Sequence, residues 1–460
     1  MRTSVTLTIQ NPTRFKEQLL QWAQQFREAV FLDTNNYEQR YTSYDAILAA
    51  DALTSIQTDY LNGFDELNTY QQTTRDWIFG YLSYDLKNDT EELYSANHDG
   101  LGFPDLFFFQ PKKLFLLKGN QLEVSYLNMC EEENPLTPAG EIKSDTKYVD
   151  MELLSILESA IGNTQEKPGL VTSFKEISSF KSEITLKQRI SKESYLDKAQ
   201  QMLDHIYRGD IYEANFCMEF YAEDAVIDPL AAYRELNVIS GPPFAVYFKN
   251  AKQYLLCASP ERYLRKDGSK IISQPIKGTA KRSSDPAEDE AIKQELSANE
   301  KERSENIMIV DLVRNDLSHT AAKASVKVEE LCGAYRFKQV HHLISTVVSQ
   351  VADGYTPVDI IRTTFPMGSM TGAPKISAMK IIEDLEETRR GLYSGAVGYF
   401  TPGGDFDFNV VIRSILYNQA NKYVSFSVGS AITAEAKPET EYEECLLKAK
   451  AMRSVLEVLQ

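Results

Sequence analysis

Lys277 stands between Ile276 and Gly278 in the stretch PIKGT, at the end of the apolar run KIISQPIKGT. An ammonium on so stiff a segment is either a solvated surface group or an amine held in place as a nucleophile. Glu261, in ASPERYL, lies sixteen residues upstream. A hairpin turning at Asp267 and Gly268 would bring its carboxyl beside that amine.

Other side chains could share in such chemistry. In EKERSENIMIVDLVRND, Glu302 and Glu305 are three apart and share a helix face with Ile309 and Leu312. In PETEYEECLLKAKAMRSVLEVL, Glu441 and Glu444 repeat the spacing, and Lys448 follows one turn later. Four carboxylates on two helices suit a hard cation such as Mg²⁺, although E-x-x-E on an exposed helix is equally a solvated face. In QVHHLISTVV, strand alternation puts His342 on one face with Ile344 and Thr346, and His341 on the other. FPMGSMTGAPKISAMKII is a Gly-rich loop running into a helix near Pro374. Free N–H groups there favour an anion, a carboxylate at least as well as a phosphate, and the spacing is not that of a Walker loop. FNVVIRSILY reads as one strand with Val411, Arg413 and Ile415 on a face. A guanidinium among aliphatics needs an anion, from the protein or from a substrate.

The elements that must position these groups follow from local signals. Residues 1–130 mix short strands with a few helices, including a hairpin around Gly119 and Asn120 and a helix carrying Phe15, Leu19, Trp22 and Phe26 on one side. Residues 131–190 turn polar around one amphipathic helix and read as a linker. Residues 191–460 carry the chemistry. There Ser191 begins a helix stopped by Gly209, Asp285 with Pro286 and Glu288 makes a capping box, and Ser297 with Glu300 makes a second. Helices mixed with hairpin-linked strands predict an α+β fold with largely antiparallel sheets.

Composition excludes some functions. A net charge of −17 disfavours nucleic acid and acidic membrane surfaces. No run of about 18 apolar residues spans a bilayer, and no apolar leader opens the chain. Five scattered cysteines without a C-x-x-C read as reduced thiols of a cytoplasmic protein.

In combination, GDIYEANF, ASPERYL, PIKGTAKR, ERSENIMIVDLVRNDL, VHHLISTV, FPMGSMTGAPKISAMKIIEDLE, YSGAVGYF, VVIRSI and ETEYEECLLKA resemble the chorismate-utilising enzymes, in family order over residues 190–460. FLDTNNYEQRYTSYDAI and FGYLSYDL extend the resemblance more faintly to the N-terminal region, which is similar to that of anthranilate synthase component I. The fold implied is a large two-layered α/β sandwich with the site between its sheets. Lysine in P-I-x-G-T marks the aminodeoxychorismate branch, where the anthranilate branch has alanine.

The resemblance implies that the Lys277 amine adds to chorismate at C2 while the C4 hydroxyl leaves, and that ammonia then adds at C4 and expels the lysine. Lys277 must be neutral for this. At a pKa of about 10.4, fewer than roughly one in a thousand lysines is neutral at pH 7. Burial and Mg²⁺ are expected to lower it, and reaching about 7 takes roughly 4–5 kcal/mol. Glu261 would be the general acid and His342 joins the catalytic set. Glu305 and Glu444 would hold Mg²⁺ with Glu302 and Glu441 behind them. Tyr399 and Arg413, with Lys448 nearby, would grip the enolpyruvyl carboxylate. Ser369 and the backbone at Gly278, Thr279, Gly372 and Gly429 match substrate-lining positions.

Glu213 replaces the Gln usual in amine-forming relatives and the water-activating Lys of the isochorismate branch, which argues against water as nucleophile. No G-x-C-x-G elbow is present, so ammonia is expected from a separate glutamine amidotransferase subunit in a heterodimer. The competing readings are anthranilate synthase component I and a non-catalytic scaffold that binds a partner.

Overall fold

The computed structural model describes residues 1–137, 139–143, 150–162 and 184–457. Its twenty strands form one connected network of antiparallel pairings. The architecture is the mixed helix and antiparallel sheet sandwich expected from the sequence.

Two thirteen-residue strands, Ala46–Thr58 and Leu106–Lys118, make the network into two leaves. Their mutual register slips between Ala52 and Thr54. Asp51 there takes a left-handed φ of 64°, and Pro111, which has no N–H to donate, lies opposite Ala52. On one side of the slip the sheet continues through Glu28–Asp33, Phe244–Asn250, Gln253–Ser259, Ser414–Asn418, Tyr423–Thr433 and Glu213–Ala222. On the other it continues through Ile78–Leu82, Ala396–Phe400, Phe406–Val410, Arg262–Asp267, Lys270–Ser273 and Val340–Gln350. Ile276–Lys281 and Lys327–Arg336 complete this second leaf.

The leaves face each other across an aromatic core. Phe248 of the first packs on Tyr81, Phe107 and Phe109 of the second. Helices Pro12–Trp22, Met151–Ile161, Lys192–Arg208, Pro229–Ser240 and Pro438–Leu456 bury their apolar stripes on the first leaf. Helices Gly63–Thr74, Glu300–Ser318 and Pro357–Thr364 join the core of the second. Glu28–Asp33 pairs with Phe244–Asn250 and Ile78–Leu82 with Ala396–Phe400, so regions 1–130 and 191–460 share one sheet. Of the polar region 131–190, the described part holds the amphipathic helix Met151–Ile161; residues 144–149 and 163–183 lie outside the described residues.

Local signals place most helix ends. Ser191 accepts from the Ser194 N–H, and Gly209 closes that helix at φ 86°. Asp285 caps Pro286–Ala298, but the Glu288 side chain turns to the Ser283 hydroxyl instead of closing the box. Glu300–Ser318 is capped by Asn299, which accepts from the Glu302 N–H, and not by Ser297, which is the last turn of the preceding helix. The five cysteines are free and buried. Among the described residues no helix is long and apolar enough to cross a membrane.

Candidate active site

The segment Ile276–Lys281 pairs with Val340–Gln350, and its register breaks between Ile276 and Thr279. Gly278 makes the break, at a φ of 96° that a β-carbon would strain. A β-carbon there would also stand 3.1 Å from a Glu302 carboxylate oxygen and from Leu343. Asn306, on helix Glu300–Ser318, clamps the bulge by donating to the carbonyls of Lys277 at 3.1 Å and Leu343 at 3.3 Å. Lys277 is thereby aimed inward, with its side chain 14 % exposed.

Its Nζ lies 2.6 Å from Glu213 Oε1, at the start of strand Glu213–Ala222. Gly372 pairs with Ala214 so closely that a β-carbon would meet the Glu213 carbonyl at 2.1 Å. The loop's glycine therefore lets its chain seat against the Glu213 backbone. Glu213 is buried, and its second oxygen, Oε2, has no hydrogen-bond partner.

Burial pulls the Lys277 pKa down, but the charges of Glu213, Glu305 and Glu444 and the Glu213 hydrogen bond more than reverse this. The amine sits above its ordinary value and is a cation in the free chain, contrary to the lowered pKa expected from the sequence. The sequence missed this because it paired the amine with a metal and left Glu213 without a role.

Glu261 does approach Lys277, through the hairpin of Arg262–Asp267 with Lys270–Ser273. It is buried, and Ser369 Oγ donates to its Oε1 at 2.7 Å. Burial pushes its pKa up to about 7 against the opposing pull of Ser369, the Ile276 N–H and Lys277. It is therefore an acid that still holds its proton near neutrality. His342 is buried with Nδ1 2.9 Å from Thr279 Oγ1 and 3.3 Å from the Gly278 carbonyl. Burial first, then Arg413 and Lys448, hold it down to about 3, so its imidazole is neutral.

Helices Glu300–Ser318 and Pro438–Leu456 bring the four predicted carboxylates to this end of the cleft. Burial raises Glu302, with Glu444 adding to it, and pushes Glu305 up to about 7. Glu444 is held low by Lys448, whose Nζ lies 2.6 Å away. Glu441 is buried, raised by desolvation, and takes the Ser430 hydroxyl. Lys301 lies 3.8 Å from Glu305 and Lys448 holds Glu444, yet a set of carboxylate oxygens is the donor type a hard cation such as Mg²⁺ takes, so the chemistry of these residues fits one. Among the described residues no three such side chains are already closed around a common point.

Arg413 breaks the expected strand. The chain runs Phe406–Val410, bends, and resumes at Ser414–Asn418, with Arg413 at a left-handed φ of 54°. Its guanidinium is lowered by burial, with Tyr393 and Glu444 acting the other way. No side-chain hydrogen bond or ion pair holds it among the described residues. Lys448 also donates to the Gly429 carbonyl at 2.7 Å. Gly429 faces Cys217 across the strand pair, and a β-carbon there would meet the thiol at 2.6 Å.

Tyr399 is not part of this grip. It packs on Trp77 and Phe79, its hydroxyl is under the charges of Asp407 and Arg265, and it lines a separate cavity of about 60 Å³ with Arg262 and Asn409. The tyrosine facing Arg413 is Tyr393, whose hydroxyl contacts Cys217 Sγ at 3.8 Å. Both tyrosines lie in YSGAVGYF, Tyr393 ahead of strand Ala396–Phe400 and Tyr399 within it, and the structure brings the first of them, not the second, to Arg413. The cleft thus gathers the cations Arg413 and Lys448, four carboxylates on two helices, and Lys277, Glu213 and Glu261, with Lys448 and Glu444 already in contact.

Comparison with known proteins bears on what this cleft takes. The family described as chorismate binding enzyme matches residues 27–454. A protein of Oryza sativa subsp. japonica named probable aminodeoxychorismate synthase, chloroplastic, is 34% identical over 82% of this chain, which spans only 43% of that relative's length. Anthranilate synthase component 1 of Thermus thermophilus is 33% identical over 83% of this chain and 78% of its own. Aminodeoxychorismate synthase component 1 of Bacillus subtilis is 31% identical, over 82% and 76%. The crystal structure of anthranilate synthase component I from Streptococcus pneumoniae shares the fold, with a TM-score of 0.71 at 24% identity over 91% of this chain and 94% of that one.

Proposed function

The chain belongs to the chorismate-binding enzyme family, and from that membership we propose that it aminates chorismate at C4 to give 4-amino-4-deoxychorismate, with Lys277 as covalent nucleophile. The observation that carries this reading is the inward-facing, half-buried amine of Lys277, hydrogen-bonded to Glu213 and beside a carboxyl, Glu261, that keeps its proton near pH 7. Direct amination at C2 has no use for a protein amine there.

In this reading the guanidinium of Arg413 takes one substrate carboxylate, and Lys448 lends it charge. Lys277 attacks C2 and Glu261 protonates the departing C4 hydroxyl. His342, neutral, lines the ring's path. Glu302, Glu305, Glu441 and Glu444 would hold Mg²⁺, which would supply positive charge for the ring carboxylate. Ammonia would come from a separate glutamine amidotransferase, as the name component 1 of the Bacillus relative suggests.

Anthranilate synthesis is the second reading, favoured by the similarity to the Thermus relative of that name. The two part on product. Chorismate, Mg²⁺ and ammonium with the purified chain are expected to give aminodeoxychorismate, identified by mass spectrometry, and Lys277→Ala is expected to give none. Anthranilate with pyruvate from the wild type would overturn the proposal.

A further inference from the structure

Lys277 starts as a cation, so its proton must leave before it can attack. The charged groups facing it are Glu213 from strand Glu213–Ala222, Glu302 and Glu305 from one helix, Glu444 from another, and Glu261 ahead of strand Arg262–Asp267. Most are otherwise engaged. Glu261 accepts from Ser369 and must deliver its own proton to the leaving hydroxyl. Glu444 is paired with Lys448. Glu302 accepts from the Thr279 N–H. Glu302, Glu305 and Glu444 act on Lys277 through space, and none of them stands at hydrogen-bond distance from it among the described residues.

Glu213 differs on each count. Its Oε1 is 2.6 Å from Nζ, its side chain is 2 % exposed, and Oε2 is buried with no partner. The 2.6 Å contact is a ready path for a proton from Nζ to Oε1, and Oε2, buried and unpartnered, has no hydrogen bond that would hold the carboxylate to its anionic form. Moving one proton along the bond between them turns two desolvated charges into a neutral amine and a neutral acid.

We propose that Glu213 is the base that takes the proton from Lys277 and so makes it a nucleophile. The inference rests on the reading of Lys277 as nucleophile. An N–H bond of Lys277 breaks and an O–H bond of Glu213 forms. The nitrogen lone pair then forms the bond to C2, the ring double bonds shift, the C4–O bond breaks, and the Glu261 proton leaves with the hydroxyl as water. When ammonia forms the C4–N bond, the C2–N bond breaks and its electron pair returns to Lys277. Glu213 hands the proton back, and the new ammonium returns one to Glu261. The sum is chorismate plus ammonia to aminodeoxychorismate plus water.

A plain electrostatic role for Glu213 predicts the opposite sign. An anion that only holds the ammonium charged slows the reaction, and Glu213→Gln would then free the amine. The test is a single turnover of the full chain with chorismate and Mg²⁺, ammonium omitted, in which the adduct is followed by intact mass and mapped to Lys277. In the wild type its rate is expected to be level between about pH 5.5 and 7, because the proton goes to Glu213 and not to solvent. In Glu213→Gln the rate is expected to fall by about a hundredfold at the acid end and to climb roughly tenfold per pH unit, with Glu213→Asp between. An unchanged or faster Glu213→Gln overturns the proposal while leaving Lys277 as nucleophile. A wild-type rate that itself climbs tenfold per unit also overturns it, with no variant needed. A wild type that makes product with no Lys277 adduct, together with an active Lys277→Ala, removes the parent reading and the proposal with it.

Discussion

Removing one hydroxyl should move the upper pH limit of this site upward. Glu261 sits at about 7 because burial outweighs three groups that favour its anion, and the first of these is the Ser369 hydroxyl at 2.7 Å. At pH 7 about half of such carboxyls carry a proton, against about one in 300 at the ordinary value of 4.5. A hydrogen bond to a charged group contributes about 1.5–3 kcal/mol, and part of that survives when the acid is protonated. The differential loss in Ser369→Ala is then about 1.4 kcal/mol, or roughly one pH unit. The variant's Glu261 should titrate near about 8, and its rate at pH 8 should exceed that expected from the wild-type profile by about fivefold. The assay is kcat/KM for chorismate against pH at constant free ammonia, since this ratio reports the free enzyme's groups. An alkaline limb that stays put or moves down, in a variant that melts with the wild type, would refute the assignment of Glu261 as the acid.

Three other outcomes follow from the same geometry. Arg413→Met should weaken chorismate binding by about 30-fold to 1,000-fold, equivalent to about 2–4 kcal/mol, yet leave the free chain as stable or more so by melting, because the half-buried guanidinium has no protein anion to lose. Arg390→Met should cost about 3–5 kcal/mol in denaturant unfolding, because it strands Glu386, which Arg390 pairs with at 2.7 Å beneath the cleft while also holding the Met370 and Asn215 carbonyls. His342, held at about 3 against an ordinary 6.5, gives stability that is complete above 6.5 and lost as pH falls toward 3, up to roughly 4–5 kcal/mol. His342→Gln should flatten that part of the stability profile, and an unchanged acid limb would contradict the neutral imidazole.

Where the signal was local, the sequence carried it. The Gly119 hairpin, the Ser191 and Asp285 caps and the glycine stop at 209 depend on neighbours a few residues away. The family motifs brought Lys277, Glu261, Ser369, His342 and both glutamate helices to one cleft. The ionisation of Lys277 was not legible, because its partners arrive from separate elements, Glu213 from 64 residues away. Arg413 was misread as mid-strand because nothing short of coordinates marks a left-handed arginine. Tyr393 and Tyr399 both sit in YSGAVGYF, and alternation cannot say which of them meets a guanidinium that lies beyond a bend. Nothing in the sequence around Asn306 marks its role, which is to fix the bulge that aims Lys277.

The polarity of the cleft also constrains how a dianion can lie in it. One carboxylate has an obvious seat at Arg413, whose half-buried guanidinium has no side-chain hydrogen bond or ion pair among the described residues. The cleft also presents Glu302, Glu305 and Glu444, and Glu305 is already raised to about 7 by burial and by its neighbours Glu213 and Glu302. Two like charges about 5 Å apart at an effective dielectric of about 20 repel by roughly 3 kcal/mol, so a second carboxylate cannot settle there unaided. Lys277 cannot serve as its counter-ion and also become a neutral nucleophile. In the proposed reading Mg²⁺ would supply the positive charge that seats the ring, and this division of labour would leave Glu213 free to take the lysine's proton.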